Sequence, residues 1–176
     1  SAAGMEYRSM KDLIREAGPS EMEMLDYISK KAPGDVNGAA PVEEIRIVSP
    51  IPEPDQDIIC LGINYMDHAA ESAIYFSKRV NRTNDPDGII PAHKNLTNQL
   101  DYEAELAVII KKDAKDVKPE EVKDYIFGYT IMNDVSAREV QTEHKQWYFG
   151  KSLDGFTPLG PCIMTVDSTA FPPVLK

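Results

Sequence analysis

The chain has 176 residues, of which 42% are hydrophobic, and it carries a formal net charge of −10 at pH 7. That hydrophobic share excludes a disordered chain, and the length is sufficient for one domain with a sizeable core or for part of a larger one. Because no segment gathers lysine and arginine into a stripe, we expect neither nucleic acid nor an anionic membrane surface as a general partner.

The cysteines and the hydropathy of the sequence indicate a cytoplasmic protein. Cys60 and Cys162 both lie in apolar runs, and two buried thiols in a reducing compartment explain them better than a disulfide framework does. The sequence has no run of about 18 apolar residues, and its first residues lack the apolar core of a signal peptide. We therefore expect no insertion into a membrane.

Two short helices are predicted near the start of the chain. Ser9 is suited to cap a helix over residues 10–17, because a serine hydroxyl accepts the unpaired N–H groups of a first turn. Ser20 and Glu23 form a capping-box pattern, which predicts that Ser20 caps the second helix. After a linker rich in glycine, proline and alanine, the pattern becomes β-like from Val42 onward.

Short strands and short helices are predicted to alternate along the rest of the chain. The predicted strands are residues 43–48, 57–63, 101–110, 128–135 and 162–166. The predicted helices are a segment that Asp67 caps and that ends near Tyr75, residues 118–126, and residues 136–148, which open with a Ser136 and Glu139 capping box. This alternation predicts an α/β or α+β protein rich in β structure. No glycine-rich phosphate loop occurs, so a nucleotide-binding fold gets no support.

Glu103 and Glu105 stand in the first half of the strand predicted over 101–110. Side chains alternate between the faces of a strand, so both carboxylates project from one face. A solvated face is the common explanation of such a pair, but the apolar continuation LAVII predicts a strand covered on both faces. Covered carboxylates repel each other and lose hydration, and a shared cation removes that cost. The pair therefore indicates a metal site.

Asp134 is the candidate for a third carboxylate. It stands between a predicted strand and a predicted helix, where a polar junction residue is the simpler explanation. With Glu103 and Glu105 it would form an all-oxygen site, which suits Mg²⁺ or Mn²⁺ and also permits Ca²⁺. The sequence offers no cluster of cysteine and histidine that would indicate zinc.

Five further residues carry side chains with catalytic or binding potential. His68 and Glu71 are three residues apart, so on a helix the carboxylate can orient the imidazole as a general base, although a surface pair without a role is more common. Arg138 and Gln141 have the same spacing near a helix start, which favours an anion; a solvated helix face is equally compatible. Lys151 is predicted in a loop where its ammonium could reach a substrate oxygen, although most single lysines are only surface charge.

Five stretches of the sequence stand in the order and spacing of a known enzyme family. They are CLGINYMDHAAE, FSK at residues 76–78, DYEAELAVII, GYTIMNDVSAREVQ and GKSLDGFTPLGP. From about Pro54 to Val166 the chain thus resembles the fumarylacetoacetate hydrolase family. The resemblance implies an α+β, β-rich fold, the mixed β-roll of that family. It implies residues 1–53 as a helical lead-in and residues 54–176 as the front part of the catalytic domain, whose carboxyl-terminal part is absent from this chain.

The resemblance also implies roles for individual residues. The matching metal ligands are Glu103, Glu105 and Asp134, the water-activating pair is His68 with Glu71, the lysine near the substrate oxygens is Lys151, and the residues that hold the substrate carboxylate are Arg138 and Gln141. The family's substrates are 2,4-dioxo acids (acylpyruvates) and related 2-oxo or 2-hydroxymuconate-type acids. Its members are usually homodimers with one divalent cation in each site.

Hydrolysis of a carbon–carbon bond in an acylpyruvate or fumarylpyruvate is the predicted reaction. Isomerisation of a 2-hydroxymuconate-type diacid and decarboxylation of oxaloacetate on the same site remain open. A metal-dependent nuclease gets little support, because its E-x-K triplet at residues 121–123 falls in a predicted helix and the net charge opposes binding to DNA. A non-catalytic metal-bound module is a further alternative.

Overall fold

The computed structural model of the protein describes residues 6–62, 73–143, 145–170 and 173. The α-helices are α1 (Met10–Glu16), α2 (Pro19–Ser29), α3 (Arg138–Glu143) and α4 (Trp147–Lys151). The strands are β1 (Ile58–Gly62), β2 (Ile74–Lys78), β3 (Leu100–Asp101), β4 (Ala104–Ile110), β5 (Ile126–Asn133), β6 (Ser136–Ala137) and β7 (Met164–Thr165). Within these residues no helix is both long enough and apolar enough to span a membrane.

The strands form three small sheets. β1 and β2 form an antiparallel ribbon in which Cys60 lies opposite Phe76. β3 pairs antiparallel with β6, so that Asp101 lies opposite Ser136. The third sheet has the order β4-β5-β7, and its β5–β7 pair is antiparallel. Short helices combined with these sheets make an α+β, β-rich protein, which confirms the predicted fold class.

The described chain divides into two compact units, each with its own hydrophobic cluster. The first unit comprises Ser1–Ile47, Val108–Tyr129 and Met164–Lys176. Its cluster consists of Ile126, Tyr129 and Val166, against which Val122 packs. Removing such side chains from water contributes about 1.5–3 kcal/mol each to stability.

The second unit contains every predicted site residue that the structure describes. It comprises Val48–Ala107 and Thr130–Ile163. Its buried cluster is formed by Val135, Ala137, Val140 and Phe156, with Ile90 and Leu153 packed against it. Because three of these buried residues come from the segment between β5 and the end of α3, the cluster anchors the same segment that carries Asp134 and Arg138.

The two amino-terminal helices form, but only the first begins as predicted. Ser9 caps α1, and its hydroxyl accepts a first-turn N–H at 3.2 Å. α2 begins at Pro19 with Gly18 as its N-cap, and the Glu21 carboxylate accepts the Gly18 N–H at 3.0 Å. The prediction that Ser20 caps α2 was wrong, because proline suits the first helical position and starts the helix two residues earlier.

Several other predicted elements have a different class or length in the structure. Residues 43–48 form no strand, since Val42–Glu44 is a 3₁₀ turn and irregular backbone follows. Pro119–Tyr125 is a 3₁₀ helix instead of an α-helix. Tyr75 lies in β2, so the helix predicted to end there was wrong at that end, and its start, from the predicted cap Asp67 to residue 72, lies outside the described part of the chain.

The predicted capping box of Ser136 and Glu139 does not form. Ser136 belongs to β6, and α3 begins only at Arg138. The Glu139 carboxylate instead accepts the Thr97 hydroxyl and the Asn98 N–H, each at 2.8 Å. A capping box needs that carboxylate for the backbone of its own helix, so contacts with a segment about forty residues away determine where this helix starts.

The segment predicted as one strand over 101–110 is divided in two and covered on one face only. β3 ends at Asp101 and β4 begins at Ala104, with Glu103 between them. Burial then alternates along β4, and Leu106, Val108 and Ile110 are exposed. In the described structure only the face that carries the glutamates is partly covered, and the opposite face is exposed. The prediction of a strand covered on both faces was therefore wrong.

Candidate active site

The junction of β3 and β4 lies directly beside the end of β5. The Asp134 N–H donates to the Glu103 carbonyl at 2.9 Å, and the Glu103 N–H donates to the Asn133 side-chain oxygen at 3.2 Å. These two hydrogen bonds hold Glu103 next to Asp134 although the residues are 31 positions apart in the sequence. Two of the three predicted metal ligands are thus adjacent.

Lys151 joins the side chains of these two acidic residues. Its ammonium nitrogen lies 2.7 Å from Glu103 Oε2 and 2.7 Å from Asp134 Oδ2. Lys151 and Asp134 are only 2% and 3% exposed, and buried charges of this kind persist only when they are paired. Lys151 is the last residue of α4, so the prediction that places it in a loop was wrong.

Lys78 is a second buried cation, and no role was predicted for it. It is fully buried at the end of β2, and its ammonium lies 2.6 Å from Asp134 Oδ1. It also donates to the carbonyl of Lys151 and, at 3.4 Å, to that of Val135. Burial lowers the pKa of Lys78, while the Asp134 charge opposes that shift. The sequence did contain a signal for this site residue, because Lys78 ends an apolar strand and a lysine is rarely buried unless it is paired.

The two residues predicted to hold a substrate carboxylate lie together in α3. Arg138 Nη1 donates to the Gln141 side-chain oxygen at 3.0 Å and forms an ion pair with Glu103 Oε1 at 2.6 Å. Its Nε and Nη2 atoms donate to Asp101 Oδ2 at 2.9 and 2.6 Å. The hydrogen bond from Arg138 holds the pKa of Asp101 below its usual value. The guanidinium therefore already holds two carboxylates of its own chain.

Glu105, like Glu103, is a half-buried member of the acidic cluster. Burial raises the pKa of its carboxyl group, and the charges of Glu103 and Asp134 raise it further. The three carboxylates are therefore close enough to repel one another. Like charges held together in this way favour an oxygen-preferring divalent cation, and their chemistry fits Mg²⁺, Mn²⁺ or Ca²⁺.

The residue types suit a metal ion, but the positions of the described side chains do not form a site for one. Glu103 and Asp134 direct their oxygens at the lysine and arginine groups described above. Across the described residues, no three Asp, Glu, His or Cys side chains are placed to hold one metal ion. The acidic cluster thus has suitable donors, but they do not converge on one point.

His68 and Glu71, the predicted water-activating pair, lie outside the described residues. Their contact with each other and their position relative to Lys151 stay predictions. Gly62, the last described residue before them, packs closely against the ring of Trp147 in α4. The segment with His68 and Glu71 therefore continues from a strand end that contacts the helix carrying Lys151.

The cysteines do not offer a nucleophile to this site. Burial raises the pKa of the Cys60 thiol to about 12, and the nearby Asp134 charge contributes to that rise. Cys60 is therefore protonated at neutral pH and unreactive. Cys60 is half-buried and Cys162 is exposed, so the prediction of two buried thiols was wrong; both cysteines are free.

A cavity lies elsewhere in the second unit. It has a volume of about 260 Å³ and is lined by residues 81–85 together with Asp154 and Gly155. None of the predicted site residues that the structure describes lines it. Its wall is polar loop structure without a cluster of buried titratable groups, so the chemistry of the protein is better sought at the Lys151 cluster.

A comparison with the profiles of known protein families assigns the chain to one of them. The family profile described as fumarylacetoacetate (FAA) hydrolase C-terminal matches residues 57–173, which is more than half of the chain. The chain therefore belongs to the fumarylacetoacetate hydrolase family.

Individual relatives carry names that indicate several reactions. The chain is 40% identical over 157 residues to the oxaloacetate tautomerase YisK of Bacillus subtilis, an alignment that covers 83% of this chain and 52% of that protein. Its structure is similar to a fumarylacetoacetate hydrolase from Exiguobacterium antarcticum, with a TM-score of 0.73, 36% identity and coverage of 92% and 57% of the two chains. A 2-hydroxyhepta-2,4-diene-1,7-dioate isomerase from Mycobacterium marinum gives a TM-score of 0.62, 33% identity and coverage of 74% and 49%. The chain spans about half the length of the curated relatives that it matches.

Proposed function

We propose that the full-length protein acts on a small 2-oxo acid through an enolate, and that it hydrolyses a carbon–carbon bond in a 2,4-dioxo acid of the acylpyruvate or fumarylpyruvate type. The observation that carries this proposal is the Lys151 ammonium, buried and 2.7 Å from both Glu103 and Asp134. A fixed positive charge in a water-poor site stabilises a developing enolate far more than the same charge in water.

The substrate carboxylate is proposed to bind to Arg138 and Gln141. Arg138 already forms hydrogen bonds with the exposed Asp101 carboxylate, so its guanidinium is oriented to hold an anion of this geometry. A substrate carboxylate would exchange with Asp101, while the ion pair with Glu103 keeps the guanidinium in position. The 2-oxo group would then lie towards Lys151, whose charge stabilises the enolate oxygen.

His68 is proposed as the general base, with Glu71 to orient it. His68 removes a proton from water, and the hydroxide attacks the distal carbonyl carbon of the 2,4-dioxo acid. The bond between that carbon and the adjacent methylene breaks, and its electron pair forms the enolate of pyruvate. Protonation of the methylene carbon then gives pyruvate, so one water is consumed and one carboxylic acid is released with it.

We propose Mg²⁺ as the cofactor, with Mn²⁺ as the alternative and Ca²⁺ possible. The residues that would hold it are Glu103, Glu105 and Asp134, whose carboxylates repel one another. When bound, such an ion supplies Lewis-acid charge beside the substrate oxygens. This assignment rests on the residue types, because the described side chains do not converge on one point.

Tautomerisation of oxaloacetate is the second candidate, favoured by the 40% identity to a protein named for that reaction. It needs the same enolate and the same ammonium, but no attacking water. Isomerisation of a 2-hydroxymuconate-type diacid is similarly favoured by isomerases among the structural neighbours. Decarboxylation of oxaloacetate is compatible with the same charges.

A substrate screen of the full-length protein tests these proposals. Acylpyruvates, fumarylpyruvate, oxaloacetate and a 2-hydroxymuconate-type diacid are incubated with it, with and without chelator, and products are identified by NMR. We expect cleavage of a 2,4-dioxo acid that chelator abolishes and Mg²⁺ restores, and loss of cleavage in His68→Ala. Conversion of oxaloacetate between keto and enol forms without cleavage of any dioxo acid selects the second candidate. If no 2-oxo acid reacts while Mg²⁺ binds, a non-catalytic module replaces both.

The localisation, the oligomeric state and the domain boundaries are also proposals. We propose that the protein is a cytoplasmic homodimer, which light scattering after gel filtration of the full-length protein would test; a monomer would contradict it. Residues 1–53 are proposed as a lead-in segment and residues 54–176 as the front part of the catalytic domain.

A further inference from the structure

Lys78 contacts both partners of the central ion pair of the site. Its ammonium bonds to Asp134 Oδ1 at 2.6 Å and to the backbone carbonyl of Lys151. Lys151 in turn bonds to the other oxygen, Asp134 Oδ2, at 2.7 Å. One ammonium thus holds a side chain at the end of β5 and the backbone at the end of α4.

These contacts restrict how the Asp134 carboxylate and the Lys151 side chain can move. With Oδ1 bound to Lys78, rotation of the carboxylate would break a buried charged hydrogen bond, which costs more than a neutral one. With the Lys151 carbonyl held, the end of α4 cannot shift away from β2. Lys78 is fully buried, and its further bond to Val135 links it to the backbone after Asp134.

We infer that Lys78 is a positioning residue that fixes the Lys151 ammonium between Glu103 and Asp134. Because Lys78 is fully buried, it acts only through the groups that it contacts, mainly Asp134 and the backbone of Lys151. A group that orients a catalytic charge in this way contributes to rate because small displacements of that charge are costly, of order 100-fold for about 1 Å. The effect of Lys78 on the reaction rate rests on the proposed function, whereas its effect on the position of the Lys151 ammonium does not.

NMR of the lysine ammonium groups in the full-length protein, labelled with ¹⁵N-lysine and ¹³C, tests the inference. In the wild-type protein we expect slowly exchanging signals from Lys78 and Lys151, and couplings from Lys78 Nζ to the Asp134 carboxylate carbon and the Lys151 carbonyl carbon. Absence of these couplings would overturn the inference without any variant having to fold.

The variant Lys78→Met removes the ammonium and keeps most of the apolar stem. We expect it to broaden or shift the Lys151 ammonium signal, and to lower kcat about 100-fold with little change in KM on whichever 2-oxo acid the protein converts. The matched control is Lys123→Met, because Lys123 forms an ion pair with Asp167 that involves no site residue. An unchanged Lys151 signal in a folded Lys78→Met protein overturns the inference. If the wild type converts no 2-oxo acid, the proposed function fails while the Lys151 signal still decides the role of Lys78.

Discussion

Asp134 shows how one carboxylate can organise several cations. Each of its oxygens binds one lysine, Lys78 on one side and Lys151 on the other. The residue is 3% exposed, so removal of either lysine would leave one oxygen of a buried carboxylate without its charged partner, which is among the costly single changes in a protein. The importance of Asp134 for the structure therefore does not depend on whether it also binds a metal ion.

Glu139 provides a prediction about pH. Its pKa lies below its ordinary value of 4.5, because its carboxylate accepts the Asn98 N–H and the Thr97 hydroxyl. A carboxyl group with a lowered pKa in the folded state stabilises the protein above its ordinary pKa, and the effect is lost as pH falls through the lowered pKa. We therefore expect Glu139→Gln to reduce the free energy of unfolding at pH 7, and the difference from wild type to vanish at low pH.

Urea unfolding of the full-length protein between pH 7 and pH 2.5 or so measures this difference. Glu143→Gln is the matched control, since Glu143 is an exposed residue of the same helix. If the loss of unfolding free energy at pH 7 persists unchanged in acid, or if the control variant shows the same loss, the lowered pKa of Glu139 is not its cause.

The close packing of α3 against α4 determines where Lys151 stands. Gly150 lies where the two helices meet, and a Cβ there would lie 2.7 Å from the Gln141 N, 2.8 Å from its Cα and 2.9 Å from the Ala137 carbonyl oxygen. All three are backbone atoms, which cannot turn away as a side chain can. Phe76 of β2 and Trp147 of α4 add an edge-to-face ring contact with centroids 5.3 Å apart, so α4 is held on two sides.

Gly150→Ala is therefore expected to destabilise the protein by about 1–3 kcal/mol, because the added methyl group forces the two backbones apart. It should also reduce activity, since the next residue is Lys151. Gly34→Ala is the control, because a Cβ at Gly34 has no atom within 4 Å, and we expect a change within about 0.5 kcal/mol. Denaturant unfolding of the full-length variants measures both, and equal losses would refute the packing argument.

The charge of the molecule as a whole argues against nucleic acid as a partner. The net charge is −10 and the sequence pI about 4.8, whereas affinity for DNA comes from clustered cations that release counterions. Arg138, Lys151 and Lys78 are bound to carboxylates of the chain itself. We expect no binding of duplex DNA at physiological salt in fluorescence anisotropy, with a basic DNA-binding protein as control; binding that weakens steeply with salt would reopen the nuclease alternative.

Much of the local structure follows from short-range patterns in the sequence. The apolar runs that become β1 and β5 were recognised as strands because a run of apolar residues is visible in the local sequence. Ser9 was recognised as a cap for the same reason, since a cap acts within one turn. The shared face of Glu103 and Glu105 was predicted from the two-residue repeat of an extended backbone, whereas the structure places Glu103 between two strands.

Contacts between distant residues decided the rest. Lys78 meets Asp134 across 56 positions and the Lys151 carbonyl across 73, and Glu139 leaves its expected capping box for partners about forty positions away. No local pattern encodes such pairings, because they form only when separate elements pack and buried charges must find partners. The residue types of the site were therefore determined by the sequence alone, whereas the tertiary structure decided which of them hold one another.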